Sequence, residues 1–145
     1  MLDCLPLSRH KSLNGVEMKI WQVAAGDGTR DYTKVFLKYG VILVGPGSAG
    51  DYFQNKEVYN SAESKDYRPF IRVIAEDMNQ DDLVILKQPQ GQSWKIVAVG
   101  RVTSDYLHKE VFGDVEGWDL QHSRLIQWRI RSILPLSMAY VEELW

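Results

Sequence analysis

Hydrophobic and polar positions in the first third of the chain follow two periods, which predict different elements. Residues 19–25 have the pattern of a strand, and the run Val-Ile-Leu-Val at 41–44 indicates a second, buried strand. Between them, apolar residues recur at helical spacing over 32–39, with Asp31 as an N-cap and Gly40 as a C-terminal stop. This part of the chain therefore predicts a strand, a helix and a strand.

The remainder of the chain predicts a further helix and further strands. After a long glycine-rich and polar loop, Asp66 is the expected N-cap of a helix with one apolar face. The residues on that face are Tyr67, Phe70, Ile71, Ile74 and Met78. Residues 83–87 and 94–102 predict two strands joined by the turn-rich 89–93. On a last strand, Ile126, Trp128 and Ile130 should face the core, and Gln127, Arg129 and Arg131 should face water.

The order of these elements predicts a small α+β domain in which a strongly bent or barrel-like sheet carries flanking helices. Residues 1–16 show no clear period, and we expect a loose N-terminal arm there, followed by a domain over 17–145. The apolar stretch 134–145 is expected to pack back on that domain.

Length and composition place the chain in the ordinary globular class. A chain of 145 residues falls within the usual size of one domain and can bury a core of its own. Its apolar fraction of 45% and charged fraction of 25% are those of soluble globular proteins. No apolar run approaches the roughly 20 residues that cross a bilayer, and residues 1–15 lack a signal-peptide core. We therefore expect a cytoplasmic protein with no membrane partner.

Cysteine content and charge restrict the chemistry further. Cys4 is the single cysteine, so neither an internal disulfide nor a thiolate zinc site can be built, and we expect no metal and no cofactor. A net charge of -2 argues against a general polyanion binder held by phosphate contacts alone, so any nucleic-acid contact must be local. The local basic groups, each of which can equally be a solvated face, are Arg9, His10 and Lys11, then Lys65, Arg68 and Arg72, then Arg124, Arg129 and Arg131.

One motif resembles a nucleotide-binding loop. The run Gly-Pro-Gly-Ser-Ala-Gly at 45–50 has the G-x-G-x-x-G spacing and follows a predicted strand. The residues after it lack the period of the helix that such a loop must open, and Asp51 stands where a phosphate-binding lysine is needed. We therefore expect a glycine loop that lets backbone approach a ligand, or a plain connection.

The three histidines do not indicate an active site. His10, His108 and His122 could pair with acidic residues, but no known catalytic signature surrounds them. We therefore expect a protein that is not an enzyme. A small hydrolase or ligand-binding enzyme using His122 with Asp119 stays open as an alternative.

The five tryptophans divide into two groups by their neighbours. Trp94 and Trp128 alternate with aliphatic residues on strands and are expected in the core, and Trp145 is expected to pack the terminus. Trp21 and Trp118 have polar or turn-forming neighbours, so a binding site explains each of them as well as burial does.

A pocket follows if the two unusual tryptophans meet. The polar turn 26–32 comes shortly after Trp21, and Trp118 lies in the polar loop 116–122. If the fold brings these segments together, the indoles form an aromatic slot edged by hydrogen-bonding groups. Such a slot is what a pocket for one extruded nucleobase requires.

Four short motifs occur in order along residues 17–131. They are Trp21 with Gly26-Asp27-Gly28 and Asp31-Tyr32, Gly45-Pro46-Gly47 with Gly50-Asp51-Tyr52, Val97 to Val102, and Gly117 to His122. With these motifs the sequence resembles the EVE-like branch of the PUA superfamily. Within that branch, it is most similar to the DNA-reading N-terminal domains of McrB-type modification-dependent restriction GTPases.

The resemblance implies a bent, barrel-like sheet with flanking helices and a pocket that takes a flipped modified base between aromatic side chains. It points to Trp21 and Trp118 as the stacking walls. The polar rim would then comprise Asp27, Tyr32, Tyr52 and Asp119. Beside the pocket, the expected phosphate contacts are His122, Arg124 and Arg129.

The expected function is thus a non-enzymatic specificity module that recognises methylated or hydroxymethylated cytosine in double-stranded DNA by base flipping. Cleavage would fall to GTPase and nuclease subunits or domains of a restriction system. A reader of methylated adenine and an RNA-binding PUA-like module are the alternatives.

Overall fold

The computed structural model describes residues 6–11, 17–90 and 92–131, of which 6–11, 130 and 131 are described by their backbone. Short helices flank a curled sheet, so the chain has a mixed α+β fold, as the order of elements predicted. The strands are β1 Pro6–Lys11, β2 Glu17–Ala24, β3 Gly26–Asp27, β4 Arg30–Asp31, β5 Val41–Val44, β6 Leu83–Gln90, β7 Ser93–Val102, β8 Leu107–His108 and β9 His122–Arg131. The helical segments are α1 Thr33–Tyr39, α2 Lys56–Asn60, α3 Pro69–Arg72, a π-helical turn Val73–Asp77 and a 3-10 turn Glu110–Phe112.

Strand β9 gives the sheet its curl because it changes neighbours along its length. The strand order is β1-β2-β6-β7-β9-β5, with β8 also paired to β9. The first half of β9 pairs with β5 and β8, and its second half pairs with β7. Strands β2 and β6 are parallel, and the other neighbours in this sheet are antiparallel. Strands β3 and β4 form a separate small hairpin after β2.

Side chains on both faces of the sheet are buried. The larger cluster lies between the sheet and the helices and includes Trp21, Phe36, Tyr59 and Trp128. The Trp128 indole also donates to the carbonyl oxygen of Phe36 over 2.9 Å, which joins β9 to α1. A smaller cluster contains Ile20, Leu83, Ile85 and Val99. Burial of Trp128 confirms its predicted place in the core.

Several elements match the periodicity and others do not. Strands β2, β5, β6, β7 and β9 and helix α1 confirm the predicted pattern, and α1 ends at Gly40 in the left-handed conformation. The N-cap of α1 is Tyr32, so the prediction of Asp31 as the cap is wrong by one residue. The Asp31 carboxylate still accepts a hydrogen bond from the Thr33 backbone N–H.

The second predicted helix is shorter and differently capped. It begins at Pro69 with Arg68 as the N-cap, and after α3 it continues as the π-helical turn, so the prediction of an Asp66 cap is wrong. Proline at the first helical position has a preset φ and no N–H to satisfy, which favours a start there. The expected apolar face is nevertheless buried at Phe70, Ile71 and Ile74.

Two elements lie where the sequence indicated loops. Residues 6–11 of the expected arm form strand β1, which pairs antiparallel with β2 at the edge of the sheet. Helix α2 lies inside the long polar loop after β5 and buries Tyr59. None of the helices in the described ranges is both long and apolar enough to cross a membrane. The expected packing of 134–145, with Trp145, lies outside the described residues.

Candidate functional site

The structure brings the polar turn 26–32 against the polar loop 116–122, which carries Trp118. The guanidinium carbon of Arg30, on β4, lies 3.7 Å from the centre of the Trp118 ring. A cation at this distance from an indole face is attracted by the negative charge of the ring face. The two segments that the sequence singled out therefore share one surface, and Arg30 joins them.

Asp27 determines the shape of the β3–β4 hairpin. Its Oδ1 accepts bonds from the backbone N–H and the hydroxyl of Thr29, each over 2.8 Å, and from the Arg30 backbone N–H over 3.0 Å. An aspartate that binds the backbone two residues ahead favours a turn. The bonds from Thr29 and the charge of Arg30 hold the pKa of Asp27 below its usual value. Its Oδ2 forms an ion pair with Arg30 Nη2 over 3.0 Å, which helps to hold Arg30 over Trp118.

A tight two-residue turn presents Trp118. Val115 and Trp118 exchange backbone hydrogen bonds of 2.8 and 3.0 Å around Glu116 and Gly117, which have φ of 53° and 88°. Two positive φ values in succession are typical of a type I′ turn, and glycine accepts them without strain. The Trp118 side chain is 46% exposed. Trp118 is therefore a half-exposed ring with the Arg30 guanidinium over it.

Tyr32 lies beneath this surface with an unsatisfied hydroxyl. The residue is only 5% exposed, and its hydroxyl makes no hydrogen bond of acceptable geometry within the described part of the chain. The charges of Arg30, Asp27 and Glu116 lie near it, and burial raises its pKa. A guanidinium can only donate, so even a closer Arg30 would leave the hydroxyl proton without an acceptor.

Trp21 does not line the surface, which corrects the expectation of two indole walls. It is 2% exposed, belongs to the larger core cluster, and donates from Nε1 to Asp82 Oδ2 over 2.8 Å. Its polar neighbours Lys19 and Gln22 reflect only the local sequence of β2 and not exposure of the indole. Trp21 therefore offers no open face to a ligand.

Asp119 holds the glycine loop instead of lining an open rim. Its Oδ2 accepts bonds from the backbone N–H groups of Gly47 and Ser48 over 2.9 and 2.8 Å. Burial opposes ionisation, but the bonds from Gly47, Gln121 and Ser48 outweigh it and hold the pKa of Asp119 below its usual value. A Cβ on Gly45 would lie 1.6 Å from the Asp119 carbonyl oxygen, so glycine is needed for this close approach. The G-x-G-x-x-G spacing at 45–50 thus serves packing between two loops.

His122 is buried and fully engaged, so it is not placed to contact phosphate as expected. Its residue exposure is 0%, and burial lowers its pKa to about 4. Its Nε2 lies 2.9 Å from the Pro46 carbonyl oxygen, which can only accept, so we assign the proton to Nε2. Its Nδ1, 2.6 Å from the Tyr106 hydroxyl, then accepts from that group. His122 and Asp119 therefore both support the glycine loop, and the buried His122 is not open to a substrate as the hydrolase alternative needs.

Two further expected site residues lie inside the protein. Tyr52 is fully buried, and its hydroxyl donates to Glu76 over 2.9 Å and accepts from Asn60 over 2.8 Å. Arg124 is 4% exposed and donates from Nε to the Ile74 carbonyl and from Nη1 to the Ser104 carbonyl, each over 2.7 Å. Tyr52 is thus no rim residue, and Arg124 satisfies backbone carbonyls instead of phosphates. Of the expected phosphate contacts, Arg129 is the exposed one.

Trp94 is a second exposed indole, which corrects its prediction as a core residue. It is 39% exposed, and Lys87 Nζ lies 5.1 Å from its ring centre. Strands β6 and β7 extend beyond the core at this end, where burial falls from Leu86 to Gln90. Trp94 and Lys87 therefore repeat the pairing of cation and indole at a separate position on the surface.

The site that remains contains Trp118, Arg30, Asp27 and Tyr32. The sequence indicated three of these residues, and it missed Arg30 because nothing local shows which ring an arginine covers. The group combines a flat apolar face, a carboxylate acceptor and a hydroxyl donor, which suits a flat heterocycle with polar edges. Within the described ranges, no group of three or more histidine, cysteine, aspartate and glutamate side chains could hold a metal ion.

Comparison with known proteins gives one finding. The model of a family described as a domain of unknown function, DUF8426, matches residues 21–140. No curated protein and no solved structure matches the chain. The matched stretch begins within β2, includes both loops of the surface described above and β9, and spans well over half of the chain. The chain therefore belongs to the DUF8426 family.

Proposed function

We propose that this chain is a non-enzymatic module that recognises a modified base in double-stranded DNA, with the base swung out of the helix onto Trp118. The observation that carries the proposal is the Arg30–Trp118 stack. A planar group already lies 3.7 Å from the centre of an indole that is 46% exposed. A surface that holds one planar group in this way can hold another.

The energies of flipping and stacking are comparable. Extruding a base costs a few kcal/mol, and stacking on an aromatic side chain returns about 1–3 kcal/mol. With Trp118 as the single indole of the site, hydrogen bonds at the edge of the base must supply the remainder. Asp27 and Tyr32 are the groups at that edge, and a methyl group in an apolar niche would add roughly 1–3 kcal/mol of preference for a modified base.

Phosphate contacts in this account are few. His122 and Arg124 are engaged inside the protein, so exposed Arg129 and a displaced Arg30 are the candidates that remain. A net charge of -2 agrees with a small number of contacts. Each neutralised phosphate steepens the fall of the logarithm of the binding constant with the logarithm of the salt concentration by about 0.9. We therefore expect a shallow dependence of affinity on salt.

The wider assignment is an EVE-like domain of the PUA superfamily that serves a modification-dependent restriction system in the cytoplasm. Support comes from the curled sheet with short flanking helices and from the meeting of the two motif loops at Arg30 and Trp118. In this assignment, GTPase and nuclease subunits or domains would carry out cleavage after the module has bound.

Fluorescence anisotropy with labelled duplexes tests the proposal. One duplex carries a single 5-methylcytosine, others carry 5-hydroxymethylcytosine or N6-methyladenine, and the plain duplex is the reference. We expect one modified duplex to bind at least about 10-fold more tightly than the plain one. Equal affinity across the panel would contradict the proposal, and stronger competition by structured RNA would favour the RNA-binding alternative.

Two matched tryptophan variants identify the surface. Trp118→Ala should weaken binding of the preferred duplex about 10- to 100-fold, because it removes the stacking face. Trp94→Ala removes another exposed indole that also carries a cation over its face, and it should leave the affinity unchanged. Equal effects of the two substitutions would reject Trp118 as the stacking surface.

A further inference from the structure

We infer that Arg30 holds, in the free protein, the place of a base that bears an amino group, and that the Tyr32 hydroxyl recognises the ring nitrogen beside that group. This inference rests on the proposed function, because it takes the Trp118 surface as the base site. It goes further by naming the class of base and the residue that selects it.

The Arg30 guanidinium has two properties of an amino-bearing base. It is flat and lies over the Trp118 ring, and its Nη2 forms an ion pair with Asp27 Oδ2 over 3.0 Å. Asp27 Oδ1 already accepts three bonds from Thr29 and Arg30. Displacement of the guanidinium therefore frees Oδ2, and a ligand that takes its place must supply an N–H donor there.

The Tyr32 hydroxyl requires a hydrogen-bond acceptor on the ligand, whereas Asp27 requires a donor. Its oxygen is buried, and its proton has no acceptor in the described part of the chain, because the neighbouring Arg30 guanidinium can only donate. A buried polar group without a partner calls for an explanation, and a ligand that completes it is one. Because Arg30 and Asp27 both lie near this hydroxyl, a group that replaces the guanidinium could offer it an acceptor atom.

Asp27 Oδ2 as an acceptor beside the Tyr32 hydroxyl as a donor favours a base that presents an N–H group next to an acceptor atom. Cytosine and adenine present an amino group next to an unprotonated ring nitrogen, which matches Asp27 and Tyr32. Thymine, uracil and hypoxanthine present a carbonyl next to a ring N–H, so both contacts become mismatched. Unpaired polar groups in such a site reject a wrong ligand strongly.

Arg30 can leave at small cost. The side chains of Arg30 and Asp27 are 35% and 30% exposed, and ion pairs this exposed contribute little to stability. Once displaced, the guanidinium lies beside the site and can contact a phosphate of the flipped nucleotide. The same residue thus covers the Trp118 ring in the free protein and contacts the DNA backbone in the complex.

Thymine is the sharpest probe because it carries the same methyl group as 5-methylcytosine and differs at the amino edge. Two labelled duplexes place 5-methylcytosine opposite guanine or thymine opposite guanine at the same position. The mismatched thymine is the easier base to extrude. We nevertheless expect it to bind at least 10-fold more weakly, since its edge has the reverse pattern of donor and acceptor.

Tyr32→Phe removes the hydroxyl and keeps the ring. We expect binding of the 5-methylcytosine duplex to fall at least 10-fold, while the Tm of the free protein stays equal or rises by a few degrees, because within the described residues the hydroxyl proton has no acceptor to lose. Tyr39→Phe is the matched control on the exposed side of α1, and it should change neither quantity.

The outcomes separate this inference from the proposed function. If thymine binds as tightly as 5-methylcytosine and Trp118→Ala weakens both, the base site stands and the selection by Tyr32 is overturned. A clear fall in Tm with Tyr32→Phe also overturns it, because the hydroxyl would then be satisfied within the protein. If no duplex shows a preference, the proposed function fails, and this inference fails with it.

Discussion

The indole of Trp21 donates a hydrogen bond to the carboxylate of Asp82 over 2.8 Å, although the two residues are 61 positions apart in the chain. Asp82 is 1% exposed and also accepts bonds from the backbone N–H groups of Lys19 and Asn79. Trp21 lies on β2 and Asp82 directly precedes β6, so this bond joins the two parallel strands and holds the indole in the core. The role of Trp21 is therefore stability, and Trp118 is left as the indole of the surface.

Trp21→Phe should lower the free energy of unfolding by about 2–4 kcal/mol, since it removes a donor to a buried carboxylate and leaves a cavity. Urea denaturation measures the loss. Binding of a modified duplex by the folded fraction should be unchanged. A variant with wild-type stability and lost binding would instead make Trp21 a ligand contact.

His122 should make stability depend on pH in the range above the folded-state pKa. Burial lowers the pKa of His122 to about 4 from an ordinary value of 6.5. The unfolded state therefore takes up a proton first as the pH falls, and the folded state loses stability between pH 6.5 and 4. Between pH 7.5 and pH 5 the loss should be about 2 kcal/mol, measured by urea denaturation.

The comparison with His122→Gln isolates this contribution. Carboxylates with a lowered pKa, such as Asp27 and Asp119, lose their contribution only as the pH falls through their folded pKa values, and both proteins share that loss. The variant should be less stable at pH 7.5 and should show a flatter profile down to pH 5. Parallel profiles would show that His122 is not buried in its neutral form.

Tyr106→Phe should destabilise the protein, in contrast to Tyr32→Phe. The Tyr106 hydroxyl accepts from the Tyr52 backbone N–H over 2.9 Å and lies 2.6 Å from His122 Nδ1. Its removal leaves both groups unsatisfied, and we expect a loss of about 1–3 kcal/mol in the free energy of unfolding. If thermal denaturation gave the two variants the same sign of change, the assigned hydrogen bonding of one hydroxyl would be incorrect.

Gly45→Ala should be severely destabilising, whereas Gly28→Ala should be nearly neutral. A Cβ at position 45 would overlap the Asp119 carbonyl oxygen at 1.6 Å, but one at position 28 meets nothing within 4 Å. Overpacking against backbone costs about 1–3 kcal/mol or more, and a substitution into open space stays within about 0.5 kcal/mol. Chemical denaturation of both variants checks the contrast, and similar stabilities would contradict the close contact between the two loops.

Sequence patterns predicted the elements whose signal is local. The alternation on β9 predicted buried Ile126 and Trp128, and the helical spacing over 32–39 predicted α1. The sequence does not predict strand β1, because residues 6–11 have no clear period of their own and form a strand by pairing with β2. Trp94 was misplaced because alternation cannot show that a hairpin extends beyond the core.

The candidate site was predicted in part for the same reason. Turn-forming residues indicated the hairpin at Asp27 and the loop at Trp118, and the structure joins them through Arg30. Polar residues expected at the site are instead satisfied by partners far along the chain. Arg124 donates to the carbonyl of Ile74, 50 residues away, and His122 contacts the carbonyl of Pro46, 76 residues away. No local pattern reveals such pairs.

The most direct test of the central claim is whether a modified base covers Trp118. In a Trp94→Phe, Trp145→Phe protein, Trp118 is the exposed indole among the described tryptophans, because Trp21 and Trp128 are buried. Acrylamide quenching of its fluorescence is measured with saturating duplex that carries one 5-methylcytosine. We predict that the quenching constant falls severalfold and that the plain duplex at the same concentration has little effect. An unchanged quenching constant with the modified duplex bound would contradict the account.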